Sequence, residues 1–148
     1  MKIYLATDHA GFDLKEFLRK HLEQEGHDVE DCGAHEMDSS DDYPDFIIPA
    51  AQKVAQDENS FGIIMGGSGQ GEAMAANRIK GARATVYYDG PLDIVKLSRT
   101  HNNANILSFG ARFISPERAI EVVDIWLNEP FEGGRHQNRI NKLDNYLC

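Results

Sequence analysis

The chain has 148 residues, 41% of them hydrophobic and 26% charged, a composition that fits a single domain over residues 1–148 with its own core. Its net charge of −9 argues against nucleic-acid binding, because a phosphate backbone attracts a basic protein face. No apolar run approaches the ~20 residues of a membrane helix, and we find no signal peptide. We therefore expect a cytoplasmic protein without membrane contact.

The first half of the chain alternates between strand and helix patterns. In order, these patterns predict a strand at Lys2–Thr7, a helix from Phe12 to Leu22, a strand at His27–Cys32, an acidic loop over Gly33–Tyr43 and a helix from Pro44 to about Gln56. Gly26 should stop the first helix, and Pro49 should weaken the second helix or shift its start.

The second half continues the alternation and contains the most informative turn. The patterns predict a strand at Phe61–Met65, a glycine turn, a helix over Glu72–Ile79, a strand at Ala82–Tyr88, a helix from Pro91 to about Thr100, a strand at Ile106–Phe109, a helix from Ser115 to Pro130 and a basic helix from Arg135 to about Tyr146.

This alternation predicts a Rossmann-like, three-layer α/β/α fold with a five-stranded parallel sheet. Binding sites in such sheets lie beyond the carboxyl ends of the strands. The rule selects Asp8-His9, the glycine turn, Asp89 and Gly110–Arg112 as the region to consider. Cys32 and Cys148 have no metal-ligand spacing, so we expect two free thiols and no metal site.

The glycine turn, GGSGQGE over residues 66–72, resembles two nucleotide-binding motifs only in part. Gly67, Gly69 and the distant Asp89 fit the start of a dinucleotide fingerprint, but Glu72 occupies the third glycine position and would face the pyrophosphate. A P-loop fits less well still, because the turn lacks the lysine that contacts the terminal phosphates.

In a third interpretation, the turn serves to place Glu72 beside a set of backbone N–H groups. The backbone N–H groups from Gly67 to Gly71 can form an oxyanion hole, and Glu72 beside them can act as a general base. Together these groups could abstract a proton α to a carbonyl. The structural alternative is that Glu72 sits in an exposed first turn and only offsets the helix dipole.

Other polar groups have structural explanations when each is taken alone. Asp8 could simply cap a helix, and His101 before a strand could be structural. Arg135 and Arg139 lie four residues apart on one helix face, which could be a solvated basic face or, with Arg112 and His9, a phosphate clamp. Base, oxyanion hole, histidine and clamp together describe an isomerase of sugar phosphates.

Five motifs in order, DHAGF, YPD, GGSGQGEAMAANR, RTHNNANILSFGARF and EGGRHQNRI, resemble ribose-5-phosphate isomerase B, in the family that includes the galactose-6-phosphate isomerase subunits. The resemblance runs nearly end to end. It implies an aldose–ketose isomerase without metal or cofactor that acts through a cis-enediol. It also implies a homodimer, or a tetramer, with active sites shared between subunits, and a C-terminal helix that packs on or across the dimer.

The resemblance also implies roles for individual residues. Asp8 and His101 would assist ring opening, and Ser68 would handle hydroxyl protons. His101 and Asn102 would come from the partner chain. The turn residues Gly67, Gly69, Gln70 and Gly71 would line the oxyanion hole, Tyr43 would line the pocket, and His9, Arg112, Arg135 and Arg139 would hold the phosphate.

The chain departs from many family members at one position. They carry a cysteine base where this sequence has Gly66, and this chain resembles the branch in which a glutamate at position 72 replaces the thiol. The sequence leaves the substrate open between ribose 5-phosphate, allose 6-phosphate, galactose 6-phosphate and erythrose or erythrulose 4-phosphate. A non-catalytic module that binds sugar phosphates is the alternative from another functional class.

Overall fold

A computed structural model of the chain describes residues 1–146, so Cys148 lies outside the described part. Five strands run at Lys2–Thr7 (β1), Asp28–Asp31 (β2), Ser60–Gly66 (β3), Ala84–Tyr87 (β4) and Ile106–Gly110 (β5). The helices span Phe12–Gln24 (α1), Pro44–Gln56 (α2), Gln70–Ala76 (α3), Leu92–Thr100 (α4), Pro116–Asn128 (α5) and Arg135–Asp144 (α6), and a short 3-10 helix covers His9–Gly11.

The strands form one parallel sheet in the order β2-β1-β3-β5-β4. Helices cover both faces of this sheet. One core joins α1, α4 and α5 to one face, and a second core joins α2 and α3 to the other. The predicted Rossmann-like, five-stranded α/β/α fold is therefore confirmed.

Several predicted boundaries are wrong by a few residues. Helix α3 begins at Gln70, before the predicted Glu72, because Gly69 takes a left-handed conformation with φ of 78° and turns the chain into the helix early. Helix α2 starts at Pro44 as predicted and continues through Pro49, so Pro49 does not shift its start. Strand β4 is shorter than predicted at both ends.

The parallel strands place the functional residues at two opposite ends of the sheet. We call the side where the strands end the carboxyl edge and the side where they begin the amino edge. Each helix that follows a strand returns to the amino edge, so the end of α4 at Thr100 lies across the sheet from the end of β3. Two backbone hydrogen bonds agree with this placement: Gly62 donates to Asn105 at 2.8 Å, and Glu132 donates to Thr100 at 3.1 Å. Strand β3 alone separates the edges by roughly 20 Å.

Candidate active site

A cleft of about 390 Å³ opens at the carboxyl edge of the sheet, where β1, β3 and β5 end. We call it the carboxyl-edge cleft. It is lined by Asp8, His9, Ala10, Tyr43, Gly67, Ser68, Gly71, Glu72, Arg112 and Phe113. Most of the predicted site residues thus share one concave surface, and Gly69 and Gln70 belong to the same glycine turn.

Glu72 is buried in this cleft, with only 5% of its surface exposed. Its carboxylate fills the space beside Gly66 where any other residue would place its Cβ, so the two residues are sterically complementary. Burial raises the pKa of Glu72, and the negative charge of Asp8 raises it further. The structural alternative of an exposed first turn is therefore wrong, since Glu72 faces inward.

The glycine turn leaves several backbone N–H groups without a partner. Gly69 lies against the carbonyl of Phe109, where a Cβ would come within 2.9 Å of the oxygen. Within residues 1–146, the N–H groups of Gly67, Ser68 and Gly69 donate no hydrogen bond to another residue. These donors remain available to a ligand oxygen.

Asp8 and His9 leave β1 at the rim of the cleft. The Asp8 carboxylate accepts a hydrogen bond from the N–H of Ala10 at 2.9 Å, so it does cap the short helix, as the structural alternative held. His9 pairs through Nδ1 with Asp41 Oδ1 at 2.7 Å, and its N–H donates to the same oxygen at 3.1 Å. This hydrogen bond to Asp41 raises the pKa of His9 against the opposing effect of desolvation.

Asp41 holds His9 in place, and the sequence analysis did not select it. Its side chain is only 8% exposed, and its second oxygen is buried without a hydrogen-bond partner. It lies in the acidic loop and is one of ten acids within residues 23–45 that look alike in the sequence. No local pattern distinguishes the one that folds back 32 positions onto His9.

Arg112 and Tyr43 border the glycine turn from two sides. The Arg112 guanidinium covers Gly67, with Nη1 3.0 Å from the position of an ideal Cβ there. The hydrogen bond to Asp41 raises the pKa of His9, and the positive charge of Arg112 opposes this effect with a smaller contribution. The Tyr43 hydroxyl lies 2.7 Å from the Cβ position of Gly71. Glycines at 67 and 71 therefore let both side chains approach the turn.

The remaining predicted residues, His101, Asn102, Arg135 and Arg139, lie elsewhere. With Glu132 and His136, which the sequence analysis did not select, they form what we call the amino-edge cluster. The rings of His101 and His136 stack with centroids 4.2 Å apart and planes 16° apart. Burial lowers the pKa of His136, and the neighbouring His101 adds to this effect. Asn102 lines a different cavity, of about 600 Å³, beside α6.

The predicted residues therefore form two groups that one chain does not bring together. None of His101, Asn102, Arg135 and Arg139 lines the carboxyl-edge cleft in the described part of the chain. The sequence left open whether the twist of the sheet unites Glu72 and His101 within one chain. The parallel direction of the strands answers this, since Glu72 follows the carboxyl end of β3 and His101 precedes the amino end of β5.

The fold is an α/β fold, and its carboxyl-edge cleft contains a buried carboxylate beside a glycine turn and an arginine. The family model described as Ribose/Galactose Isomerase matches residues 3–143. The chain belongs to this family. Among the described residues, each helix is too short or too polar to cross a bilayer.

Individual relatives cover the whole length of the chain. The ribose-5-phosphate isomerase B of Mycolicibacterium paratuberculosis is 44% identical over 99% of this chain and 91% of its own. The crystal structure of ribose-5-phosphate isomerase B from Mycoplasma genitalium with bound ribulose-5-phosphate superposes with a TM-score of 0.93 at 40% identity, over 98% of this chain and 95% of that one. The crystal structure of a ribose 5-phosphate isomerase from Thermotoga maritima superposes with a TM-score of 0.90 at 44% identity, over 97% of each chain.

These findings confirm two predictions: the resemblance to ribose-5-phosphate isomerase B and the enzyme class, an aldose–ketose isomerase. The roles of individual residues stay predictions.

Proposed function

We propose that this enzyme interconverts ribose 5-phosphate and ribulose 5-phosphate, with Glu72 as the base. The observation that carries the proposal is the placement of Glu72: a buried carboxylate beside backbone N–H groups that have no other acceptor. The names of the full-length relatives support this substrate, and one of them is described with ribulose-5-phosphate bound.

The proposed reaction transfers one proton between neighbouring carbons. Glu72 removes the proton from C2 of the open-chain aldose, and the electrons move onto the carbonyl oxygen at C1 to give a cis-enediolate. The N–H groups of Gly67–Gly71, including Gly69 and Gln70, stabilise that oxyanion. Glu72 then returns a proton to C1 while Ser68 moves a proton between the hydroxyl oxygens. The raised pKa of Glu72 suits both directions, since a carboxylate with a higher pKa is a stronger base.

Phosphate binding would involve residues from both groups. His9 and Arg112 face the cleft, and the bond to Asp41 favours the charged form of His9. Arg135 and Arg139 are exposed on α6 and do not line the carboxyl-edge cleft of their own chain. They would therefore contact a ligand bound in the cleft of a second copy. Guanidinium groups bind phosphate through paired hydrogen bonds, which suits an acidic protein that would otherwise repel its substrate.

The separation of the two groups supports a homodimer, or a tetramer, in which each active site is shared. We propose that His101 and Asn102 of a second copy enter the carboxyl-edge cleft, where His101 assists Asp8 in ring opening and Asn102 and Tyr43 contact the sugar. α6 would then pack across the dimer with its arginines. We propose the cytoplasm as the location, since the named relatives are metabolic enzymes.

A substrate panel tests the proposal. Ribose 5-phosphate, allose 6-phosphate, galactose 6-phosphate and erythrose 4-phosphate would each be incubated with the enzyme in D₂O. We expect ribose 5-phosphate to give the highest kcat/KM and ribulose 5-phosphate that carries solvent deuterium at C1. A product without deuterium at early times would indicate internal proton or hydride transfer. No turnover of any sugar phosphate would favour the non-catalytic binding module.

A further inference from the structure

The amino-edge cluster contains a group of donor atoms that the proposed reaction does not use together. His101, Glu132 and His136 each present one donor, and all three donor atoms lie within 4.8 Å of one another. Glu132 Oε2 is 3.5 Å from His136 Nε2 and 4.0 Å from His101 Nε2. Both imidazoles therefore face the same carboxylate oxygen.

These distances are suited to a tetrahedral metal ion. With metal–ligand bonds of ~2.0–2.2 Å, two ligand atoms of a tetrahedral zinc site lie about 3.3–3.5 Å apart. The carboxylate of Glu132 and the ring of His136 already have that separation. Because the two imidazoles stack with planes 16° apart, the His101 ring would have to rotate out of the stack and move about half an ångström towards Glu132 to complete a His₂Glu set. In zinc proteins such a set leaves a fourth position for water.

Apart from the ring stack and the contacts with Glu132, the three donor atoms have no partner in the described part of the chain. Among residues 1–146, the rings of His101 and His136 and the carboxylate of Glu132 make no hydrogen bond. The side chain of His136 is nevertheless only 8% exposed. A buried imidazole that lacks a partner and faces two further donors is a costly arrangement without a ligand.

The backbone fixes these three residues relative to one another. The N–H of Glu132 donates to the carbonyl of Thr100 at 3.1 Å, which ties the loop before α6 to the residue preceding His101. The N–H of His136 donates to the carbonyl of Gly133 at 3.2 Å. The site thus needs side-chain adjustment only.

The other cluster of similar composition, Asp8, His9 and Asp41, is a poorer candidate. His9 Nδ1 already lies 2.7 Å from Asp41 Oδ1, a hydrogen bond that leaves no space for an ion between them. One oxygen of Asp8 accepts from Ala10. His9 and Asp41 are thus hydrogen-bonded to each other through the atoms that would face an ion, whereas the donor atoms of the amino-edge cluster make no hydrogen bond within residues 1–146.

The geometry points to a Zn²⁺-class binding site formed by His101, Glu132 and His136, which inhibits the enzyme when it is occupied. The inhibitory part rests on the proposed function: His101 bound to an ion at its own chain cannot assist ring opening in the cleft of a second copy. The ion is a regulator here and takes no part in the proton transfer.

Co²⁺ titration of the full-length protein tests the site without reference to activity. We expect one Co²⁺ per chain, with the intense visible absorption of a tetrahedral ion, and displacement by Zn²⁺. Glu132→Gln and His136→Gln should each weaken binding on the order of ten-fold or more. His35→Gln is the matched control, since His35 also faces a carboxylate four residues away, Asp31, but at an exposed position without a second imidazole.

Two outcomes would overturn the site: no tetrahedral Co²⁺ spectrum, or affinities of Glu132→Gln and His136→Gln equal to that of His35→Gln. Glu132 is exposed, so its variant should fold even if the His136 variant does not.

An activity measurement tests the inhibitory part separately. Zn²⁺ should reduce isomerase activity over the concentration range in which it displaces Co²⁺, and a chelator should restore it. Glu132→Gln should keep its activity and lose the inhibition. Binding without inhibition would refute the regulatory role. An enzyme inactive on every sugar phosphate would refute the proposed function, while the Co²⁺ titration would still decide whether the site exists.

Discussion

The carboxyl-edge cleft and the amino-edge cluster contain the same kinds of side chain in different states. In the cleft, His9 is held by a nearly buried Asp41 at 2.7 Å. In the cluster, His101 faces the exposed Glu132 at 4.0 Å and stacks on another histidine. The cleft is thus ordered by its own chain, whereas the donor atoms of the cluster make no hydrogen bond within residues 1–146. This difference is what the proposed shared site would require.

The largest expected effect concerns the base. Glu72→Gln should lower kcat by about 10²–10⁴-fold, because an amide cannot take the C2 proton. Steady-state kinetics with ribose 5-phosphate would measure it. Glu117→Gln is the matched control, since Glu117 is also an acid in the first turn of a helix but is exposed. Equal activity of Glu72→Gln and Glu117→Gln would show that Glu72 is not the base.

A mixing experiment tests the division between the two regions most directly. Glu72→Gln and His101→Ala dimers, each impaired, would be unfolded together and refolded. If sites are shared, each mixed dimer has one pocket with both defects and one with neither, so its activity should approach half that of wild type. Mixed dimers that form, as verified by native mass spectrometry, but stay inactive would mean that each chain contains its own complete site.

The phosphate clamp should show a smaller effect, on KM. Arg112→Ala should raise KM by an amount equivalent to about 1.5–3 kcal/mol, the range for a hydrogen bond to a charged group, with little change in kcat. Arg135→Ala should behave alike if α6 of a second copy contributes to the same phosphate site. Kinetics at two salt concentrations would measure both variants. Equal kcat/KM for ribose and ribose 5-phosphate would contradict the clamp.

Replacing Glu72 with glutamine should raise the stability of the protein at neutral pH although it lowers the activity. Because the folded-state pKa of Glu72 is raised, chiefly by burial, its stabilising contribution is fully present below the unfolded pKa and is lost as pH rises through the folded pKa. Glu72→Gln lacks this loss. The unfolding temperature of Glu72→Gln relative to wild type should therefore increase from pH 4 to pH 8, as thermal denaturation would show. A difference that stays constant or falls with pH would contradict the burial of a charged Glu72.

The smallest expected effect is that of thiol modification. Burial raises the pKa of Cys32 to about 11, so little reactive thiolate exists at neutral pH. Cys32 also lies outside the residues that line the carboxyl-edge cleft. Iodoacetamide should leave the isomerase rate nearly unchanged over an hour. Rapid inactivation that substrate prevents would place a thiol in the site.

Local patterns were sufficient for the elements and for much of the cleft. The alternation of strand and helix patterns predicted the parallel sheet, and the rule on carboxyl ends selected Asp8, the glycine turn and Arg112. Boundaries failed where one backbone conformation decided them, as at Gly69. Asp41 could not be found because its role depends on a contact between positions far apart in the sequence.

The sequence by itself determined that a glutamate replaces the third glycine of the turn, that strands and helices alternate, and that the chain resembles a family of sugar isomerases. Only the tertiary structure decided that Glu72 is buried beside Gly66 and that His101 lies at the opposite edge of the sheet. The reason is physical. Turn chemistry and periodicity act over a few residues. Whether a side chain is buried, and at which end of the sheet it lies, depends on how distant strands pair and in which direction they run.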